Sequence, residues 1–420
     1  MLGRSLPLAT ALPFAVLLLA IALAPLLVPR WWHHNRNKAL VAGVVSLPVL
    51  LYLGFGLGLE GRHLLAEKAH EYLGFIVVIA ALFVISGGVH IQGSLAGTPL
   101  VNTGMLGIGA VLANLTGTTG ASVLLIRPLL RANKKRKRVA HIVIFFIFIV
   151  ANCGGLLTPI GDPPLLLGFL KGVPFRWTLQ LWPQWLFVNG VLLVIFNVWD
   201  QWALNKDEIE LPGSQHEEVL IHEPLRVQGA VELLALVGVL ATVVMGGSAL
   251  IVALLAVIGY LGGSAERREK NAFTWGPIIE VAILFAAIFV TMAPMLEILN
   301  ANAASLGLRT PTQFFWTTGA LSSVLDNAPT YLAFASAAAG LQNIPPHGAY
   351  VGAIDPRILA AISTGAVFMG ANTYIGNAPN FMVKAIAEEN GVKMPSFFGY
   401  MVYSVGILIP LFVVVSLILF

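Results

Sequence analysis

Two aspartates stand inside otherwise apolar stretches of the chain, Asp162 and Asp326, and each sits at a break built from Gly, Pro and short polar residues. The first break reads TPIGDPP, from Thr158 through Gly161 and Asp162 to Pro164, and it is echoed by TYIGNAP, from Thr373 through Gly376 and Asn377 to Pro379. A second pair of breaks reads NLTGT, with Asn114, Thr116 and Thr118, and DNAPT, with Asp326, Asn327 and Thr330. Copies of the first pair lie 215 residues apart (373 − 158) and of the second 213 (327 − 114), in the same order, so the chain reads as two related halves. A carboxylate near a bilayer centre costs about 2.5 to 3.5 kcal/mol on insertion scales and needs a proton, a cation or a basic partner. No Arg or Lys stands well inside an apolar run, which leaves sodium or protons as the expected partners of Asp162 and Asp326. Threonine and asparagine side chains beside carbonyls freed from a helix supply the oxygens that a hard cation takes. The blander reading of either aspartate is a protonated cap on a half-helix.

Composition sets the solvent in which this chemistry happens. Hydrophobic residues make up 57% of the 420 and charged residues only 10%, with a mean hydropathy of +0.85; soluble domains carry about a quarter charged. The expected class is an all-α polytopic membrane protein in the plasma (inner) membrane, with the lipid bilayer as its first partner. A net charge of +4 gathered in short loops orients helices rather than binding nucleic acid. Cys153 is the only cysteine, which excludes an intrachain disulfide, a cysteine zinc cluster and a C-x-x-C pair. Nothing in the sequence calls for a cofactor beyond transported sodium and protons, and no catalytic residue is assigned.

The elements that must position the breaks follow from hydropathy. Spans are expected at 11–29, retained rather than cleaved as a signal peptide, at 39–59 and at 73–89, the last two separated by a polar segment, 60–71. A re-entrant hairpin at 105–130 turns at the Asn114 break and exits into RANKKRKR, six basic residues in eight, which the positive-inside rule places in the cytoplasm. A discontinuous helix at 141–171 contains the Asp162 break, and 177–202 closes the first half. The acidic segment 203–228 reads as a cytoplasmic linker; a metal site from His216 and His222 is the lesser reading of it. Spans at 229–245, 249–262 and 277–299, a hairpin at 313–340, a discontinuous helix at 357–387 and a span at 397–419 make the second half. Glu280 is a further titratable group whose place the sequence leaves open. Each half, 1–202 and 229–420, then has about five crossings plus one hairpin, and an odd count inverts the second half relative to the first.

Unwound backbone is tolerated in hydrocarbon only where protein buries it or a polar cavity receives it, and free half-helix ends carry partial charges that attract ions. At these residues the sequence resembles a known group. The stretch from Asn152 to Pro164, SSVLDNAPT from Ser322 to Thr330 and GANTYIGNAPN from Gly370 to Asn380 resemble signature segments of the ion-transporter superfamily, which includes NhaD-type sodium/proton antiporters, arsenite permeases, and citrate and dicarboxylate carriers. Asp162 after Ile-Gly and the Asp326-Asn327 pair look most like the antiporter branch; dicarboxylate carriers typically show Ser-Asn-Thr at their hairpin tips. Pro163-Pro164 departs from the antiporter pattern, where a Thr-rich stretch follows the aspartate. The resemblance implies sodium (or lithium)/proton antiport by alternating access, with transport of citrate, a dicarboxylate or arsenite as the alternative. It also implies a homodimer in which early spans form a scaffold and hairpins and broken helices form the transport part. An intramembrane aspartyl protease is a remote alternative, since residue 159, where its first motif glycine would fall, is Pro and Leu325 precedes Asp326.

Overall fold

In a computed structural model that describes residues 2–93, 95–210 and 226–420, nearly every described element is helical. In chain order the α-helices of eight or more residues are α1 (Leu12–Leu27), α2 (Asn35–Leu51), α3 (Gly58–Gly88), α4 (Pro99–Ala132), α5 (Ala140–Ile149), α6 (Pro163–Leu170), α7 (Trp182–Glu210), α8 (Ala230–Val244) and α9 (Ala249–Leu261). They continue as α10 (Gly276–Ala301), α11 (Pro311–Ser322), α12 (Asn327–Leu341), α13 (Pro356–Met369), α14 (Ala378–Glu389) and α15 (Phe397–Leu419). Among the described residues seven helices are long and apolar enough to cross a membrane, so this is an all-α polytopic membrane protein.

Helix α4 is a hairpin. Gly117 (φ 76°, ψ 157°) breaks it midway, a conformation that favours glycine, and Asn102 and Asn133, near its two ends, exchange side-chain hydrogen bonds of 2.9 and 2.8 Å. Its first arm runs parallel to α5, because Gly109 meets Val150 and the Asn114 amide reaches Gly154 O at 2.7 Å. The sequence AHIVIFFIFI is apolar on all sides, and Ile142 to Ile149 are correspondingly buried on all sides. The second hairpin, α11 with α12, repeats the plan. Gly365 of α13 faces Phe315 O and Ser322 Oγ donates to Ala366 O (2.7 Å), so α11 and α13 also run parallel, drawn close by small residues.

The two hairpins open at opposite ends of the molecule. The first opens beside the basic loop 131–138, on the face where Arg131 Nη2 donates to Ile91 O (2.9 Å) and His90 meets Asn271. There a short antiparallel pairing of His90–Gln92 with Arg226–Gln228 joins the two halves. Helix α10 begins on this face, where Lys38 Nζ lies 2.6 Å from Glu280 Oε2, and ends at Asn300, whose amide donates to Ser336 O and Ile344 O beside the far end of α12. Glu280 is thus a paired residue at a helix start.

Three expectations need correction. Residues 60–71 are not a loop between spans but the first turns of α3, whose charged residues are paired across its end. The linker does not begin at 203: α7 continues to Glu210, with Ala203 and Leu204 buried and Asp207 accepting from Arg138 (2.6 Å). His216, His222 and most of the acidic segment lie outside the described residues. Helices α8 and α9, of 15 and 13 residues, measure roughly 22 and 20 Å at 1.5 Å per residue, short of the roughly 30 Å hydrocarbon core. They form an antiparallel pair that returns to the face it left, bringing Arg267 back to Glu232 at 2.6 Å, so the parity of crossings is unchanged.

Candidate functional site

Each broken helix stops at a turn of 3-10 helix, Cys153–Leu156 or Gly370–Asn372, and restarts as α6 or α14. Gly161 and Gly376 stand where the restarting chain doubles back on that turn. A Cβ at Gly161 would collide with Gly155 O, and one at Gly376 would lie 2.5 Å from Gly370 O and 2.8 Å from Ser322 O. The next residues, Asp162 and Asn377, share one extended conformation (φ −145°, ψ 146° and φ −151°, ψ 139°) and precede helices with Pro in the first turn. Neither side chain caps its own helix. Both are turned instead toward the other elements at the centre.

Asp162 is the hub. Its side chain is buried, and Oδ1 accepts from the Thr118 hydroxyl at 2.7 Å and the Asn377 amide at 3.1 Å, while Oδ2 accepts from the Asn327 amide at 2.5 Å. Thr118 comes from the first hairpin, Asn327 from the second and Asn377 from the second broken helix, so three elements converge on the carboxylate carried by a fourth. The partners are neutral donors. Sequence reasoning looked for a proton, a cation or a basic residue and did not weigh this way of satisfying the charge. The other acceptor in the group, Asn327 Oδ1, is buried without a partner.

The remaining expected residues divide. Asn114 and Thr158 meet: Thr158 Oγ1 donates to Asn114 O (2.6 Å) and Leu157 N to Asn114 Oδ1 (2.8 Å). Gly161 O accepts from Thr118 N at 2.8 Å. Thr373 Oγ1 donates to Ser323 O at 2.5 Å, a partner outside the expected set. Thr116 and Thr330 do not join the group, since their hydroxyls bond the preceding turn, at Leu112 O and Asp326 O. Asp326 is half-buried and caps α12 through Ala328 N at 3.0 Å; it shares no hydrogen bond with Asp162, so the two carboxylates do not form a proton-sharing dyad. The contacts also correct the register of the hairpins. Asn114 plays the part of Ser323 and Thr118 that of Asn327, an offset of 209 (323 − 114, 327 − 118) rather than 213. Asp326 then takes the place of Gly117.

Two asparagines were missed as site residues. Asn152 Nδ2 donates to Asn380 Oδ1 (2.7 Å) and to Ile147 O, while its Oδ1 receives the Asn377 amide at 3.2 Å; Asn380 Nδ2 donates to Gly370 O and Thr373 O. This couple ties the two breaks together and orients Asn377 toward Asp162. The signal was a fully polar side chain in an apolar run, six residues before Thr158 and seven after Thr373.

The arrangement offers helix N-termini at Thr118, Pro163, Asn327 and Ala378 around one buried carboxylate, with no Lys or Arg bonded to Asp162 or Asp326 among the described residues. Half-helix N-termini and amide donors are what an anionic group binds, and freed carbonyls are what a cation binds. The sequence matches, over residues 3–420, a family described as "Putative citrate transport". No curated protein matches the chain.

Proposed function

The chain belongs to that citrate-transport family, and we propose on this premise that it is a secondary transporter carrying a citrate-like carboxylate through the Asp162 constellation, with protons or a cation as the coupled species. The observation that carries the reading is the identity of Asp162's partners. Thr118, Asn327 and Asn377 hold a carboxylate with three neutral donors, which is the set that a substrate carboxylate requires. While Asp162 is ionised it occupies these donors and repels an anion. Once a proton or a cation neutralises Asp162, the donors are free to turn to substrate, and the four half-helix N-termini add to the attraction. Substrate and coupling ion therefore bind together. Asp326, next in sequence to Asn327, is a second place for the ion.

The proposal includes the geometry of the cycle: 1–202 and 229–420 as inverted repeats, with hairpins opening to opposite faces, suit alternating access around a fixed central site. The second reading is sodium (or lithium)/proton antiport, favoured by the lack, among the described residues, of a basic side chain bonded to either aspartate and by the unpartnered Asn327 Oδ1. Proteoliposomes decide between them. Labelled citrate should accumulate when the outside is acidified or a cation is supplied, and Asn327→Ala or Asn377→Ala should raise KM by roughly tenfold, as loss of one hydrogen bond to a charged group costs about 1.5 kcal/mol or more. Proton movement driven by sodium alone, with no citrate, succinate or arsenite effect, would transfer the assignment to antiport.

A further inference from the structure

Away from Asp162, at the end of the molecule opposite the basic loop, charged side chains from four elements meet around a cavity of about 330 Å³ lined by Glu60, His63, Leu64, Glu67 and His347. The far end of α6 finishes at Lys171, which is buried and ion-paired to Glu67 (3.1 Å) and to Glu71 of α3. Lys171 O accepts from Val351 N (3.1 Å) and Gly352 N (3.4 Å), and a Cβ at Gly352 would collide with Gly172 O. The end of α6 and the segment 347–352, which joins α12 to α13, are therefore one unit. Its helices carry Asp162 at the start of α6 and Asn327 at the start of α12.

His347 adds a contact between the loop of this unit and the α3–α10 block, beside the Lys171 ion pairs to α3 and the Asn300 hydrogen bonds to Ser336 O and Ile344 O. Its Nδ1 lies 3.6 Å from Glu67 Oε2 of α3 and its Nε2 3.4 Å from Glu297 Oε1 of α10, while Gly348 N donates to Glu67 Oε1 at 3.1 Å. Helices α3 and α10 are joined by their own aromatic packing, Phe75 stacked on Phe285 with centroids 4.8 Å apart. A neutral imidazole has one N–H, so a ring with a carboxylate at each nitrogen satisfies both only as the imidazolium. Other charges facing the ring are Lys68 of α3, itself paired with Glu71, and Lys171, which shares Glu67; Glu60 and His63 line the same cavity.

We infer that His347, clasped between Glu67 and Glu297, is a proton-operated latch that holds the loop 347–352 of the site-bearing unit against the α3–α10 block and frees that loop when the ring loses its proton. The inference rests on the proposed reading in one respect, that the site-bearing unit moves relative to that block during transport. The sign follows from the surroundings. The Glu67 carboxylate beside the ring, with Glu297 on its other side, raises the His347 pKa above its usual value, against burial and Lys68. A group with a raised folded-state pKa contributes fully below its ordinary value and loses its contribution as pH rises through the raised one. The latch is closed in mild acid and opens toward alkaline pH.

Hydrogen exchange on the purified full chain in nanodiscs tests this without any assumed substrate. Amides 347–352, corrected for intrinsic exchange, should lose about tenfold in protection between about pH 5.5 and 8.5 in the wild type. His347→Gln, at a half-exposed side chain, should be unprotected throughout. His347→Arg should be protected throughout, and Glu297→Gln should move the transition to lower pH. Protection that does not change with pH, or the same transition in His347→Gln, would overturn the latch. If the transitions appear as expected but neither citrate nor sodium is transported, the latch stands and the transport assignment fails.

Discussion

At the scale of single residues, the two aspartates that look alike in sequence have different surroundings and should respond differently to the same change. Replacing Asp162 by Asn puts an NH2 where two oxygens now accept three donors, so at least one buried donor loses its partner at a cost of about 1 to 3 kcal/mol. Asp326 accepts one bond, from Ala328 N at its own helix start, and Asn caps as well as Asp. Asp162→Asn should therefore lower the unfolding temperature measurably and abolish coupled uptake while still reaching the membrane. Asp326→Asn should leave the unfolding temperature unchanged, and any effect of it on uptake reports on ion binding alone. Thermal unfolding in detergent beside vesicle uptake separates the two. The place of Asp162 at a polar break in an apolar run was legible in the sequence. Its partners were not, because a hydroxyl that bonds its own preceding turn, as Thr116 and Thr330 do, is indistinguishable in sequence from one that reaches across to another element, as Thr118 does.

At the scale of elements, the breaks were readable because Gly, Pro and polar residues interrupt long apolar runs twice in matching order. In the structure α4 is broken at Gly117, α11 and α12 are separated at 323–326, and α5 and α13 each stop short of a second helix, α6 or α14. What composition did not convey is where charge continues a helix. The polar turns 60–71 and 203–210 carry helix because Lys68 pairs with Glu71 one turn on, while Glu71 and Asp207 find partners on other elements, Lys171 and Arg138, and pairing across the fold leaves no local trace. The glycines before Asp162 and Asn377 carry the breaks. Gly161→Ala forces a methyl into Gly155 O and should destabilise by about 1 to 3 kcal/mol, as overpacking does. Gly190→Ala, in α7 with open space around it, should be neutral or stabilising by up to about 1 kcal/mol. Denaturation in mild detergent compares them, and equal tolerance at both positions would show that the turn relaxes easily.

At the scale of the whole molecule, the sidedness of the loops joins the charge pattern to the proposed cycle. The basic loop 131–138 and the turn 265–270 share one face, linked by Arg131 to Ile91 and by Asn271 to His90, while the loop that carries His347 lies where α10 and the two half-helices α6 and α12 end. The proposed cycle puts the first face in the cytoplasm, where the positive-inside rule expects it. Cys153 is the only cysteine and is buried inside the first break, so single cysteines introduced at exposed positions can be read against a silent background. Lys134→Cys and Glu269→Cys should react with a membrane-impermeant maleimide only in inside-out vesicles, and Pro345→Cys only in intact cells. The odd number of crossings between the hairpins requires this opposition: a parallel pair of halves would place both hairpin mouths on one face. Labelling of Lys134→Cys and Pro345→Cys from the same side would therefore remove the inverted arrangement, and with it the argument that one central aspartate is presented to each side of the membrane in turn.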